Sequence, residues 1–293
     1  MVTFDASKLN LPFMKYRKFA YALSLAAILI SFGSLVMNGL NPSVDFTGGL
    51  VLQVKFEQPI EVGSVRSSLS NIGRGQAVIQ AFSDKDVMIR LQAETDDVRK
   101  EVLSTLENDL GTLTIQRIDK VGPVVGKELR RQAIISLALA LSGILIYMAF
   151  RFRFRFGVAA VISLVHDSII MLGVYSLFQK EISVAFIAAI LTVIGYSLND
   201  SIVVLDRVRE NWGSIRIKGV FGLIDNSINQ TLSRTVNTSI TTLLPVLAMY
   251  FFGGEVISNF AFAFIIGIVV GTYSSVYIAS AILADWYLRS PKY

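Results

Sequence analysis

What this chain can fold into is limited first by six long apolar runs, at 19–37, 133–150, 156–178, 183–205, 236–252 and 257–284. At a helical rise of about 1.5 Å per residue, each run reaches across most or all of a hydrocarbon core of about 30 Å. Lipid offers the backbone no water to bond to, so such runs must satisfy their own amides and carbonyls as α-helices. Composition agrees, with 53% of the 293 residues hydrophobic and 17% charged, outside the range of soluble globular chains. The expected class is an α-helical membrane protein with six transmembrane helices.

The basic residues orient these helices. Lys8, Lys15, Arg17 and Lys18 precede the first run, and Arg151, Arg153 and Arg155 follow the second. Arg207, Arg209, Arg216, Lys218 and Arg234 follow the fourth, and Arg289 and Lys292 close the chain. The opposite side carries Lys180 in one short loop and no basic residue in the other. Because Lys and Arg mark the cytoplasmic side, both termini, 1–18 and 285–293, are expected in the cytoplasm. The net charge of +5 then has a topological origin, and the RFRFRF run reads as an inside loop before it reads as a nucleic-acid surface. The first run is too long for a signal-peptide core and has no A-x-A site beyond it, which favours an uncleaved anchor. Zero Cys excludes disulfides and thiolate metal sites without identifying a compartment.

Between the first two runs, residues 38–131 are polar enough to fold in water and are expected to form an extracytoplasmic domain. Leu50, Leu52, Val54 and Phe56 alternate with Val51, Gln53 and Lys55, the period of a half-buried strand. A short helix over 61–72 is followed by strands over 77–81 and 87–91, with Ser83, Asp84 and Lys85 as turn residues. A helix over 95–110 carries Val98, Val102, Leu103 and Leu106 on one stripe and stops at Gly111, and a strand over 113–118 completes the set. The order strand, helix, strand, strand, helix, strand is that of a ferredoxin-like α+β unit. Without His, Cys or a convergent acid cluster, this domain reads as a binding or lever element and not a catalytic one.

Asp200 lies inside the fourth run, where a carboxylate costs about 3 kcal/mol on translocon-type scales, so ion or proton coupling is the first reading. Its bland alternative is a structural hydrogen bond. Tyr196, Val203 and Val204 flank it, and Arg207, seven residues on, falls within about 20° of the same helix face. In the fifth run Arg234, Asn237, Thr238, Thr241 and Pro245 follow helical spacing and form one polar stripe beginning on the cytoplasmic side. Packed beside the fourth run, that stripe would bring Arg234 near Asp200. A guanidinium within about 4–6 Å favours the charged form of a carboxyl that burial disfavours, so relative movement would load or unload a proton. Arg keeps its own proton and acts as a fixed charge, unless it simply snorkels to the interface. Asn199 serves either the same coupling site or helix packing.

His166 and Asp167 sit mid-run in the third helix. Adjacent helical positions diverge by about 100°, so the two are expected to face different targets, for proton handling or for an interhelical hydrogen bond. Asp167 is the better candidate. Asp206, Arg207, Arg209 and Glu210 read as a solvated charge run. Gly267, Gly271, Ser275 and Ala279 recur every four residues in the last run, a small-residue stripe for close contact with the fourth run or with a partner. The linker 206–235 contains an amphipathic segment, 213–233, with Ile215, Ile217, Val220, Phe221, Leu223, Ile224 and Ile228, expected on the cytoplasmic surface.

Three motifs narrow the reading. VDFTGG at 44–49, with Asp45, Phe46, Gly48 and Gly49, is joined by YSLNDSIVVLDRVREN at 196–211 and NQTLSRTVNTSITTLLP at 229–245. In these motifs, in their order and in the layout of one outer domain followed by five close spans, the chain resembles the SecF branch of the SecD/SecF protein-export family. That family is part of the resistance-nodulation-division superfamily. The resemblance implies a bacterial inner (plasma) membrane subunit that uses the proton-motive force to promote late translocation and release of secreted proteins. It further implies SecD as partner, with the SecYEG channel, the SecA motor, the unfolded secretory protein and membrane lipid as contacts, and no cofactor. The candidate proton-coupling residues, read from their placement in the apolar runs, are Asp200, Arg234, Asp167, His166, Asn199, Thr238 and Thr241. The alternatives are a small-molecule or lipid efflux half-transporter of the same superfold, and a passive scaffold. A hydrolase has little support, since no nucleotide loop, metal cluster or nucleophile constellation is present.

Overall fold

The computed structural model describes residues 10–91 and 95–290; Lys8 and Lys292, used above for orientation, lie outside the described residues. The chain divides into two compact units, Pro42–Ile135 and the combination of Met1–Asn41 with Ser136–Tyr293.

A 3-10 turn, Phe13–Tyr16, leads into α1, Arg17–Met37. The first unit opens with a four-residue helix, α2, Val44–Thr47, capped by Ser43, whose Oγ accepts from the Asp45 amide at 3.2 Å. It continues through β1 (Gly49–Phe56), α3 (Val62–Asn71), β2 (Val78–Ala81), β3 (Asp86–Leu91), α4 (Asp96–Leu110) and β4 (Leu113–Val121) into α5 (Pro123–Arg151). The sheet order is β2-β3-β1-β4, with every pairing antiparallel. Leu52 sits centrally, in register with Ile89 on one side and Ile118 on the other.

Leu50, Leu52, Val54 and Phe56 pack with Val65 and Leu69 of α3 and Val102 and Leu106 of α4. The opposite face departs from the half-buried expectation, because Val51 is also buried. It packs with Val44 of α2 and Met88, with Val121 alongside, while Gln53 and Lys55 further along become progressively more open. The cause lies in the VDFTGG segment, which folds α2 back over that end of the sheet. The turn needs glycine. Gly48 has φ 72°, and a Cβ there would come within 3.1 Å of the Pro123 Cα. Gly126 in α5 is equally close, since its Cβ would lie 3.1 Å from the Gly48 amide nitrogen.

The second unit contains α6 (Phe154–Leu177), α7 (Val184–Glu210), α8 (Ile215–Phe252), α9 (Glu255–Ser274), one π-helical turn (Ser275–Ala279) and α10 (Ser280–Arg289). Among the described residues, five segments are long and apolar enough to cross a membrane: Phe13–Met37, Pro123–Arg151, Phe154–Leu177, Val184–Phe252 and Val256–Arg289. The sequence reading counts six, because it divides the 69 residues of Val184–Phe252 into two.

That long segment also differs from expectation in its linker. After α7 and a 3-10 turn, Asn211–Ser214, the amphipathic stretch is helical on both sides of a kink in α8 and from Val220 onward runs without a stop into the fifth apolar run. Its single non-helical residue is Gly219, at φ 67°. Val220, Leu223, Ile224 and Ile228 are buried inside the chain, where this end of α8 meets α7, α10 and the 3-10 turn before α1. Polar groups fix that turn in place. The Met14 amide donates to Asp225 Oδ1 at 2.8 Å, and Asn229 exchanges two hydrogen bonds with the Leu11 backbone, at 3.0 and 2.9 Å. Arg17 pairs with Asp285 at 3.1 Å and lies 4.2 Å from the Phe221 ring centroid.

Truncating Leu52 to Ala should destabilise the Pro42–Ile135 unit by about 2–5 kcal/mol, because a fully buried side chain with partners on two strands leaves a cavity. Lys55→Ala on the open part of the same strand should change stability by less than about 0.5 kcal/mol. Denaturant-dependent proteolysis within 42–135 in the lipid-reconstituted chain measures both.

Candidate functional site

Asp200 is on the inward face of α7 and only 4% exposed. Thr272 of α9 is the hydrogen-bonding neighbour of its carboxyl, and the Thr272 hydroxyl also meets Ser239 of α8 at 2.8 Å. The other carboxyl oxygen, Oδ2, has no hydrogen-bond partner among the described residues. Helices α7 and α9 come this close because small residues line their contact. A Cβ on Gly267 would collide with Val193, and one on Gly271 would lie 2.9 Å from the Ser197 Cβ. The spacing of four on both helices, 193 to 197 and 267 to 271, shows that they run parallel. Ser275 lies in the next turn, with its hydroxyl donated to the Thr272 carbonyl at 3.0 Å.

Arg234 contributes a charge that Asp200 feels, yet the two form no ion pair within 4.0 Å among the described residues. Arg234, Asn237, Thr238 and Thr241 lie on an exposed face of α8. The threonine hydroxyls turn back onto their own helix: Thr238 donates to the Arg234 carbonyl at 2.9 Å and Thr241 to the Asn237 carbonyl at 2.8 Å. Asn199 is exposed on α7. Within this chain the Asp200 carboxyl therefore meets Thr272 of α9, while the expected stripe lies on an exposed face of α8.

His166 and Asp167 turn to different helices, the ring to Ser24 of α1 and the carboxylate to Ser197 of α7 and Ser274 of α9, and they also meet each other. Their backbone directions do diverge, but the ring and the carboxylate reach back to each other, with Nδ1 2.9 Å from Asp167 Oδ1. Asp167 Oδ2 accepts from Ser197 of α7 at 2.5 Å and from Ser274 of α9 at 2.8 Å. His166 Nε2 lies 3.1 Å from Ser24 Oγ of α1, which is 3.0 Å from the Tyr273 hydroxyl, itself donated to the Ala20 carbonyl. One buried chain of polar groups thus joins α1, α6, α7 and α9, and both acid and imidazole have every polar atom engaged. Ser24, Ser197, Thr272, Tyr273 and Ser274 were not singled out in the sequence. The signal available was Ser197 one turn before Asp200, on the same face.

The interfacial charges are paired and not merely solvated. Asp206 bonds Arg151 and, at 3.0 Å, Arg209, while Arg207 pairs with Glu210 at 2.8 Å. Of the motif residues, Asp45 and Phe46 lie in α2, Gly48 ends it and Gly49 opens β1, within the Pro42–Ile135 unit and away from both acids in sequence.

Similarity to known proteins follows the same motifs. Residues 101–289 match the family described as protein export membrane protein SecD/SecF, C-terminal, and residues 33–60 match the SecD/SecF GG motif. The chain is 45% identical over 287 residues to the protein translocase subunit SecF of Desulfurispirillum indicum, covering 94% of this chain and 91% of that one. It is 46% identical over 280 residues to the SecF of Haemophilus influenzae, with 94% and 86% covered. The crystal structure of SecDF from Thermus thermophilus superposes with a TM-score of 0.89 at 42% identity, over 97% of this chain and 39% of that longer one. With matches of this extent over several apolar helices, the chain is a multi-pass membrane protein that belongs to the SecD/SecF protein-export family.

Proposed function

We propose that the chain acts as the SecF-type subunit of the Sec export machinery and, with a SecD partner, uses the proton-motive force to promote late translocation and release of secreted proteins. The observation that carries this reading is Asp200, a buried acid in a helix apolar enough to cross a membrane, in a chain 45% identical to a SecF translocase subunit. Those relatives favour export over the efflux of small molecules or lipids. Proton coupling with Asp200 and Arg234, assisted by Asp167, His166, Asn199, Thr238 and Thr241, rests on placement and chemistry.

The exposed polar face supports a partner. Arg234, Asn237, Thr238, Thr241 and Asn199 face outward from helices read as membrane spans, where lipid would leave an arginine and two amides unsatisfied. A second, related set of helices covers such a face in transporters whose sites form between two halves. SecD fits that role, since the SecDF of Thermus thermophilus carries in one chain a segment 41% identical to this one, of which this chain spans 38%. SecYEG, SecA and the unfolded secretory protein are the further contacts in this reading, which places the chain in the inner (plasma) membrane. How close Arg234 comes then sets the charge state of Asp200. One proton moved across 100 mV supplies about 2.3 kcal/mol to bias a rocking motion between states.

Six spans, both termini cytoplasmic, follow if Val184–Phe252 crosses twice, out to in along α7 and back along the later part of α8. A ferredoxin-like outer domain is supported by the β2-β3-β1-β4 antiparallel order with α3 and α4 on one face.

Asp200→Asn in vesicles reconstituted with SecD and the channel should abolish only the gradient-dependent part of export, assayed with and without a proton gradient. Equal loss in both conditions would point to a folding defect and count against coupling. Since the chain has no Cys, single cysteines report topology directly. Lys85→Cys should react with an impermeant maleimide from the periplasmic side and Lys218→Cys only after the inner membrane is opened, and the reverse pattern would invert the proposed orientation.

A further inference from the structure

Asp200 Oδ2 is not the only sealed polar atom without a partner near the two acids. The hydroxyls of Ser201 on α7 and Ser163 on α6 also have none among the described residues, and both residues are fully buried. Leaving a buried polar group unpaired is costly, and native interiors satisfy such groups with protein partners or with ordered water.

Helix register brings these three atoms to one level. α6 and α7 run antiparallel, fixed by the Tyr175 and Phe186 rings 4.2 Å apart, the Asp167–Ser197 hydrogen bond and the Phe156–Trp212 ring contact at 5.8 Å. One turn onward from Ser197 along α7 come Asp200 and Ser201, on the same face as Ser197. One turn back from Asp167 along α6 comes Ser163, at the matching depth. α9 closes the third side, with Thr272 on Asp200 and Ser274 on Asp167.

We propose that Asp200, Ser201 and Ser163 form a water-binding site between α6, α7 and α9, which links Asp200 to the His166–Asp167 pair. One or two internal waters there find the two to four polar partners that a buried water needs. The proposal rests on the reading of Asp200 as a proton-carrying group and extends it to a second acid. In the transfer, the O–H bond of protonated Asp200 breaks as its proton passes to a water oxygen. A proton from that water forms a new O–H bond on the Asp167 carboxylate, directly or through the Ser197 hydroxyl. Water is regenerated, the summed charge is unchanged and no further reactant is needed. The groups facing the pair are His166, Ser197 and Ser274 at Asp167, Thr272 and the more distant Arg234 charge at Asp200, and Ser24 with Tyr273 behind His166.

Infrared difference spectra of the lipid-reconstituted complex with SecD, stepped through pH in ordinary and in oxygen-18 water, test this. Asp200→Asn and Asp167→Asn assign the two carboxyl bands. The expected result is an internal-water band that shifts with the isotope and disappears in Ser201→Val, whose added methyl groups fill the site. Asp167→Asn should also move the midpoint of the Asp200 band by about one pH unit, as for acids that titrate as a pair. Ser163→Ala, a milder change, should weaken the water band while leaving thermal unfolding as in the unaltered protein. If Asp200 titrates but its midpoint ignores both Asp167→Asn and Ser201→Val, the link is overturned and Asp200 stands as an isolated site. If Asp200→Asn removes no titrating carboxyl band, the proton-carrying reading fails and the link with it.

Discussion

The membrane unit depends on the contact between α7 and α9. Lipid tails are as apolar as Leu, so helices in a bilayer gain little from burying hydrocarbon against each other and associate through close packing and shared polar groups. Gly267 against Val193 and Gly271 against Ser197 provide the first. The Asp167 carboxylate, held by a serine from each helix, provides the second. The close approach positions Ser197 and Ser274 for one carboxylate, and that carboxylate in turn makes their burial tolerable. Any larger residue at Gly271 would separate the helices and leave the Asp167 oxygens short of donors.

The two acids consequently occupy different environments although they lie one turn apart in depth. Asp167 has a full set of donors and an imidazole beside it. Asp200 has one threonine, one bare oxygen and an arginine charge at a distance. The donors around Asp167 fix where its carboxylate points, whereas a carboxylate that lacks donors responds strongly to whatever charge or water comes near.

Much of the fold was readable because its periodicities are clean. The alternation from Leu50 to Phe56 and the stripe Val98, Val102, Leu106 correspond to β1 and α4 within a residue or two at their ends. Misreadings arose where a contact distant in sequence decides the outcome. Val51 is buried because α2 turns back over it, which alternation within the strand cannot reveal. The amphipathic stretch before the fifth run packs most of its apolar side, though not Ile217, against the chain's own first and last segments, contacts that spacing along the stretch does not identify. For the site, helical spacing correctly groups Arg234, Asn237, Thr238 and Thr241 on one face, yet spacing cannot say whether that face looks inward or outward. The angle between adjacent residues likewise describes Cα–Cβ directions only. His166 and Asp167 meet because their side chains are long enough to bend toward each other.

The widened turn at Ser275–Ala279 explains how one apolar run serves two sets of neighbours. A π turn spends an additional residue before closing its hydrogen bond, which swings everything beyond it by roughly a quarter of a revolution. Upstream, α9 lies chiefly along α7 and α8; downstream, α10 turns instead to α6 and α8. A strictly regular helix with the same small-residue spacing would have kept following α7 to its end, leaving Asp285 turned away from Arg17.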